Sequence, residues 1–164
     1  MAVMLPGEVS HLLNLLGFEW PEVNEDKMFD WGGRWVGFNG EVQGTHSDAD
    51  GGARTALMEN RDAGMEAFKK QFYESKDNVM EVVRDLGSAS GIIGGCLFVI
   101  GGLVIALKIL VVIQLVILAV QIASAIAAAI PTFGASMTLI PLFEIIAQRA
   151  IAFAINFTIE QLLA

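Results

Sequence analysis

Few side chains in this 164-residue sequence have the spacing of metal ligands. The stretch Asp48–Gly51 has acids at its first and third positions, as a calcium loop does, but that loop needs further oxygen ligands and a bidentate Glu at its end. His11 and His46 have no neighbouring Cys or His that would complete a zinc site. We therefore expect no metal and no cofactor.

The sequence also offers little for covalent or phosphate chemistry. The single cysteine, Cys96, lies between Gly95 and Leu97 in an apolar run, so we interpret it as a small buried hydrophobic residue. The glycines on either side of it are not followed by the Gly-Lys-Ser/Thr ending of a phosphate-binding loop. We therefore predict that the chain is not an enzyme.

Composition and charge divide the chain into an acidic front and an apolar rear. Hydrophobic residues make up 54% of the chain and charged residues 17%, which excludes disorder. Residues 1–90 hold 16 acids and 8 bases, a net charge of −8, and the remaining residues are neutral overall. The charged residues of the rear are Lys108, Glu144, Arg149 and Glu160. With no basic stripe, the chain is not expected to bind nucleic acid.

The residues before position 28 predict two helix boundaries. Residues 5–16 suit a short helix that ends at Gly17, because glycine is favoured in a left-handed C-terminal stop. Pro21 excludes Trp20 from the α region and predicts an extended elbow. A second helix should start after Asn24, a favourable N-cap that is followed by two acids.

Two apolar seams predict an antiparallel helical hairpin. The first has a 3-4-3-4 spacing, which is typical of one helix face, and consists of Met28, Trp31, Trp35, Phe38 and Val42. The second consists of Met58, Met65, Phe68, Phe72, Val79, Val82 and Leu86. Polar and glycine-rich residues 45–52 are the predicted turn, which would place Phe68 and Phe72 opposite the stretch 31–38.

The rear of the chain predicts apolar helices. A hinge is expected at residues 87–91, and residues 92–130 are apolar on nearly every helix face. At 1.5 Å per residue this stretch would extend about 58 Å, which exceeds the roughly 30 Å hydrocarbon core of a bilayer. A break is expected at 131–134, before a last helix from Pro141. The predicted fold is therefore all-α, with an acidic hairpin domain over 1–87 and an apolar helical pair over 88–164.

Small and polar residues of the apolar rear are candidate packing and lining positions. The packing candidates, on one helix face that another helix could approach closely, are Gly91, Gly95 and Gly102. The polar candidates for lining a subunit interior or a wet lumen are Lys108, Gln114 and Gln121. In lipid, Lys108 would need a partner, for which Glu144, Glu160 and a neighbouring subunit are available.

A string of N-terminal residues carries a family resemblance. It consists of Leu5-Pro6, Leu12 to Gly17, Trp20-Pro21-Glu22, Glu25-Asp26 and Trp35. The string resembles the start of the WXG-like N-terminal domains of actinobacterial polymorphic toxins, which look like enlarged relatives of the Trp-x-Gly helical-hairpin substrates of type VII secretion. A Trp-x-Gly sequence also occurs at Trp31 to Gly33, inside the predicted first arm, where we interpret Trp31 as a seam residue.

The resemblance implies a function in secretion. It implies a non-enzymatic targeting or delivery domain that binds the type VII machinery or a small helical-hairpin partner protein. The residues that it implies for recognition are Trp20, Pro21, Glu25, Asp26 and Trp35. Residues 1–8 have neither a basic n-region nor an apolar h-region, so an ordinary cleavable signal peptide is not expected.

Two other classes of function stay open. The apolar helices could assemble a membrane-active homo-oligomer that forms a pore or a passage for a toxin. They could equally form the dry helical core of a soluble structural oligomer, which would have a defined particle size without detergent. The expected location is accordingly either secreted, without a cleavable signal peptide, or associated with a membrane in the cell envelope.

Overall fold

A computed structural model describes residues 7–163, and all regular elements in this part of the chain are helical. In chain order they are α1 (Gly7–Leu15), α2 (Glu25–Glu59), α3 (Ala63–Lys69), a π-helical turn (Lys70–Glu74), α4 (Val79–Ala127), a 3-10 turn (Ala135–Leu139) and α5 (Ile140–Leu163). The all-α prediction is confirmed. Of the predicted first helix, Leu5 and Pro6 lie outside the described residues.

The chain divides into two compact units. The hairpin unit is Lys27–Val99. The core unit joins the N-terminal residues up to Asp26 to the residues from Ile100 onward. Each unit therefore receives part of α2 and part of α4, a grouping that differs from the predicted domains 1–87 and 88–164.

Local signals before position 28 specify the helix boundaries that the structure has. Gly17 has a φ of 82° and donates its N–H to the Asn14 carbonyl at 2.9 Å, while the Phe18 N–H donates to the Leu13 carbonyl at 3.3 Å. These two hydrogen bonds form a Schellman closure, which satisfies carbonyls at the end of α1. α2 starts directly after Asn24, as predicted.

The core unit is built on apolar side chains from three helices. The buried cluster consists of Leu13, Leu16, Val111, Leu115, Leu118, Ala147 and Ile151. Gln148 of α5 also donates a hydrogen bond to the Leu16 carbonyl, at 3.2 Å. α1 therefore packs against both α4 and α5.

The hairpin is present, but its turn lies later than predicted. α2 continues through residues 45–52 to Glu59, so the predicted turn there is wrong. An ion pair between Asp50 and Arg54, with 2.8 Å between Oδ2 and Nε, spans one turn of this stretch and favours the helix. The chain reverses over residues 60–78 instead, where Asp62 and Asn78 accept backbone hydrogen bonds at the starts of α3 and α4.

The predicted hinge at 87–91 is wrong as a break, because α4 is helical through it. The hydroxyls of Ser88 and Ser90 donate to the carbonyls of Arg84 and Gly87, at 3.1 and 2.7 Å, instead of interrupting the helix. Packing against α2 also holds this stretch in the helix, as described below. The separate roles of residues 1–87 and 88–164 stay a prediction.

The break between the two apolar helices lies where it was predicted. α4 ends at Ala127, and the chain turns through Phe133 and Gly134, whose φ values are 51° and 85°. α5 starts at Ile140 and has Pro141 in its first turn, where a missing N–H costs no helical hydrogen bond.

Candidate functional site

The two long helices of the hairpin unit cross at a row of small residues. A Cβ placed on Gly94 would lie 2.8 Å from Val36 Cγ2 and 2.9 Å from the Gly32 carbonyl oxygen. A Cβ placed on Gly91 would lie 2.8 Å from Asn39 Nδ2. These distances are shorter than real Cβ contacts. The crossing depends on glycine at position 94, where the neighbour is backbone, whereas the Asn39 side chain at Gly91 can move aside.

At this crossing, most of the predicted seam residues of α2 do not face α4. Val42 is buried and Met28 half-buried, but Trp31, Trp35 and Phe38 are 55%, 37% and 39% exposed. The face of α2 at the crossing instead carries Gly32, which lies beside the Phe98 ring of α4, and Phe29, which stacks on Phe98 with 6.1 Å between the ring centroids. The prediction that Trp31, Trp35 and Phe38 are seam residues is therefore wrong.

The second predicted seam is also misplaced. Val79 and Val82 are exposed, whereas Met80 on the neighbouring face is buried. Phe68 and Phe72 are half-buried and stack on each other, with 5.1 Å between their ring centroids. The residues opposite positions 32–42 lie on α4 between Gly87 and Phe98, and not on α3 or the π-helical turn, which carry Phe68 and Phe72.

The displaced aromatic side chains form a shallow apolar groove on α2, called the aromatic groove below. Trp31, Arg34, Trp35 and Phe38 line a volume of about 360 Å³. Trp35 and Phe38 pack edge to face, with ring centroids 6.1 Å apart. Arg34 pairs with Asp30 at 3.0 Å, and both side chains are exposed. The groove therefore combines a row of rings with a polar edge, which suits an amphipathic helix.

In the core unit, Lys108 of the apolar helix α4 is buried in a cluster of polar and aromatic groups. Lys108 Nζ donates to Glu25 Oε2 and to the Val23 carbonyl, both at 2.8 Å, and lies 5.6 Å from the centroid of the Trp20 ring. The Lys108 and Glu25 side chains are 1% and 2% exposed. A carboxylate, a carbonyl dipole and an aromatic face thus compensate the ammonium group together.

The partner of Lys108 differs from those considered in the sequence. Glu144 and Glu160 are exposed on α5, and Glu25 makes the ion pair from 83 positions earlier in the chain. No local pattern links positions so far apart. Two features of the sequence could have indicated Glu25 as the partner. A lysine within an apolar helix requires a counter-charge, and Glu25 lies shortly after the elbow that carries Trp20.

The predicted recognition residues lie in both units. Trp20, Pro21, Glu25 and Asp26 belong to the core unit, and Trp35 belongs to the hairpin unit. Asp26 is exposed, so it can present charge at the surface. Glu25 is buried with Lys108 and cannot do so, contrary to its expected role.

The predicted packing glycines do not act as one face. Gly91 lies at the crossing with α2, whereas Gly95 and Gly102 have nothing within 4 Å of their Cβ positions. Gln114 and Gln121 are half-buried. Cys96 is exposed, so its interpretation as a buried residue is wrong.

The acids of the supposed calcium loop lie within α2, and one of them joins a polar clamp. Tyr73 donates its hydroxyl to Asp50 Oδ1 at 2.9 Å, while Arg54 pairs with the other oxygen. Hydrogen bonds from Arg54 and then Tyr73 lower the pKa of Asp50. Burial, followed by the hydrogen bond to Asp50, raises the pKa of Tyr73. The clamp therefore links α2 to the π-helical turn.

Few residues in the most apolar stretches of the apolar helices are buried. The segments Ala63–Ala127 and Ala135–Leu163 contain 18-residue windows with mean hydropathies of 3.0 and 1.6, which are 22% and 17% buried. By length and composition, each is sufficient to cross a membrane. A core helix of a soluble protein passes the same test, but such a helix is mostly buried.

A comparison with protein families identifies the family of this chain. The family model described as WXG100 like domain matches residues 5–150. This range includes the aromatic groove, the helix crossing and the Lys108 cluster. No curated protein and no solved structure matches the chain.

Proposed function

The chain belongs to the WXG100-like domain family, and from this premise we propose that it is a non-enzymatic targeting and delivery domain of a toxin-like protein exported by type VII secretion. Proteins of the family typically pair with helical partners and work with type VII secretion. The observation that carries the proposal for this chain is the aromatic groove on the hairpin unit. Its rings are exposed although other residues of the same helix form the crossing.

The geometry of the aromatic groove favours a helical partner. Trp31, Trp35 and Phe38 lie on a single face of α2, four and three residues apart. They therefore form a row of apolar rings that runs along the helix axis. A partner helix can place its own apolar face over these rings and leave its polar face in water. Tryptophan side chains also contribute large shares of the binding energy in protein interfaces.

The elbow before α2, in the core unit, is a second and separate proposed recognition site. Trp20 and Pro21 are half-buried and shape this segment, and Trp20 also covers Lys108. Asp26 supplies an exposed negative charge in the first turn of α2. In this proposal Glu25 acts through Lys108 by holding the elbow in place, and Asp26 contacts the secretion machinery.

An export assay tests the proposal. The full chain is fused to a reporter and expressed in a host with a type VII machine and in the same host without the ATPase of that machine. We expect the reporter outside the cells only when the ATPase is present, at equal intracellular amounts. Equal export from both hosts would show that the chain is not a type VII substrate.

A membrane-active oligomer is the second candidate function, favoured by the uncovered apolar helices. Gly95 and Gly102 leave open positions on α4 at which another helix could approach closely. Lys108 is committed to Glu25, so Gln114 and Gln121 remain as lining candidates. We expect channel conductance in planar bilayers, and its loss in Gly95→Leu and Gly102→Leu. Conductance unchanged in both variants would contradict this assembly, and a defined particle size without detergent would favour a soluble oligomer.

A further inference from the structure

The turn between α4 and α5 lies in the longest stretch of the chain without charge. From Ile109 to Phe143, the 35 residues between Lys108 and Glu144 include no acid, lysine, arginine or histidine. Turns that face water are usually rich in polar residues. The entire connection between the two apolar helices therefore lacks the charges that would keep it out of an apolar medium.

Large apolar side chains project from this turn. Ile130 is 88% exposed and Phe133 is fully exposed at 101%. Met137 and Leu139, in the following 3-10 turn, are 42% and 45% exposed. We call residues 128–139 the apolar tip. Ile130 and Phe133 gain almost no burial from the chain itself, whereas Met137 and Leu139 are partly covered.

The backbone holds Phe133 in an unfavourable conformation. Its φ of 51° lies in the left-handed region, which residues with a Cβ rarely adopt. Gly134, with a φ of 85°, could take a left-handed position without this strain. A strained residue whose ring stays outside the fold indicates a role for that ring in contact with something else.

Several backbone groups in and next to the apolar tip are paired internally, by side chains and by a backbone N–H. Thr132 Oγ1 donates to the Ala128 carbonyl at 2.6 Å, and Ser136 Oγ donates to the Ala125 carbonyl at 2.7 Å. The Gly134 N–H donates to the Ala129 carbonyl at 2.8 Å. Unpaired backbone groups resist transfer into lipid, so internal hydrogen bonds make shallow entry of a turn possible.

We propose that the apolar tip penetrates the headgroup and upper hydrocarbon region of a lipid bilayer, with Phe133 as its leading side chain. The inference rests on the membrane-active candidate function and identifies the part of the chain that first meets the lipid. A bilayer suits the observations better than a second copy of the chain, because uncovered apolar surface continues from the tip along both α4 and α5. A lipid environment can surround two helices, whereas a symmetric partner covers one face.

Vesicle flotation with the full chain tests the proposal. The vesicles contain either phosphatidylcholine alone or phosphatidylcholine with phosphatidylglycerol. We expect Phe133→Asp to lower the fraction bound at least tenfold, and Phe133→Gly to lower it while relieving the left-handed strain. Met58→Asp is the matched control, since Met58 is 78% exposed in the hairpin unit and should bind as the wild type does. Circular dichroism confirms that each variant is folded.

A probe at the tip measures its depth. In a Cys96→Ser background, a single cysteine introduced at position 133 or 58 carries an environment-sensitive fluorophore. We expect the fluorophore at position 133 to shift to the blue on vesicles and to be quenched by lipids that are spin-labelled near the headgroup. The fluorophore at position 58 should change little.

The comparison of the two vesicle compositions distinguishes insertion of apolar side chains from electrostatic binding to anionic lipid. The chain has a net charge of −8 and the tip has no cation, so phosphatidylcholine vesicles should bind at least as well as the anionic ones. A requirement for phosphatidylglycerol, unchanged binding of Phe133→Asp, absence of binding by any variant, or self-association through Phe133 without lipid would each overturn the proposal. Tip-dependent binding without channel conductance would leave it intact and reject only the pore.

Discussion

Lys108 and Glu25 show how one buried pair can join segments that are distant in sequence. Each side chain is almost fully inaccessible, and Lys108 also donates to the Val23 carbonyl. Replacing Lys108 with Met should destabilise the core unit by about 3–5 kcal/mol, because the Glu25 carboxylate would stay buried without a counter-charge. Urea denaturation, followed by Trp20 fluorescence with both other tryptophans changed to Phe, measures this effect.

Two further variants separate charge compensation from lost packing. Glu25→Gln combined with Lys108→Met should recover much of the stability, because no uncompensated buried charge remains. Arg34→Met, at the exposed pair with Asp30, should change the stability by about 1 kcal/mol or less. Equal small effects at Lys108 and Arg34 would show that the buried pair does not hold the elbow.

Asp50 gives the hairpin unit a predictable response to acid. Its pKa is lowered from the usual 3.8 in the folded state, first by Arg54 and then by Tyr73. A depressed carboxyl pKa stabilises the fold above the unfolded value, and this contribution is lost as the pH falls through the folded value. The stability difference between the wild type and Asp50→Asn should therefore be constant at neutral pH and shrink below about pH 3.8.

The check is a series of melting curves from pH 7 to pH 2. Tyr73→Phe removes one of the two hydrogen bonds to Asp50 and keeps the Arg54 pair, so its pH-dependent component should be smaller than that of Asp50→Asn. A difference between the wild type and Asp50→Asn that grows as the pH falls would contradict the direction of the shift.

The crossing of α2 and α4 depends on which of two adjacent glycines faces the partner helix. Gly94→Ala should destabilise the hairpin, because the new Cβ would meet the Gly32 carbonyl at 2.9 Å, and a backbone atom cannot turn aside as a side chain can. Gly95→Ala should stabilise it by up to about 1 kcal/mol, because its Cβ enters open space and alanine favours the helix. Thermal unfolding of the two variants measures these opposite signs, and the same sign for both would contradict the crossing.

Helix ends that depend on residues within a few positions could be predicted from the sequence, whereas those that depend on tertiary contacts could not. The end of α1 at Gly17, the start of α2 after Asn24 and the break at 131–134 depend on backbone preferences within a few residues, and the sequence predicts all three. Composition predicts a turn at 45–52 and a hinge at 87–91, but both stretches are helical. Contacts beyond the local sequence favour the helix: Asp50 bonds Tyr73 of the π-helical turn, and Gly87 lies against Val42 of α2.

The candidate site was less predictable than the fold. Apolar spacing locates a helical face, but it does not show whether rings or small residues turn towards the neighbouring helix. Gly32 and Gly94 allow a close backbone contact, so Trp31 and Trp35 stay outside and become a candidate binding surface. The pair of Lys108 and Glu25 required knowledge of contacts across 83 positions.

At the scale of the molecule, the two units suit different parts of the proposed function. The hairpin unit carries the aromatic groove, which we assign to recognition during export. The core unit carries the elbow with Asp26, which we also assign to recognition. It exposes apolar helices with the apolar tip, which we assign to a membrane after export. One chain can be recognised during export and later contact lipid only if different residues carry the two interactions. The aromatic groove and the apolar tip share no residue.

Export of groove variants is the most direct test of this account. In the full chain fused to a reporter, Trp31→Ala with Trp35→Ala should lower type VII export at least tenfold while circular dichroism shows a folded chain. The melting temperature should fall somewhat, because Trp35 is only 37% exposed. Val79→Ala with Val82→Ala, two exposed apolar residues on another helix of the same unit, should be exported as the wild type is. Wild-type export of the tryptophan variant, at equal expression, would contradict the assignment of the aromatic groove to recognition.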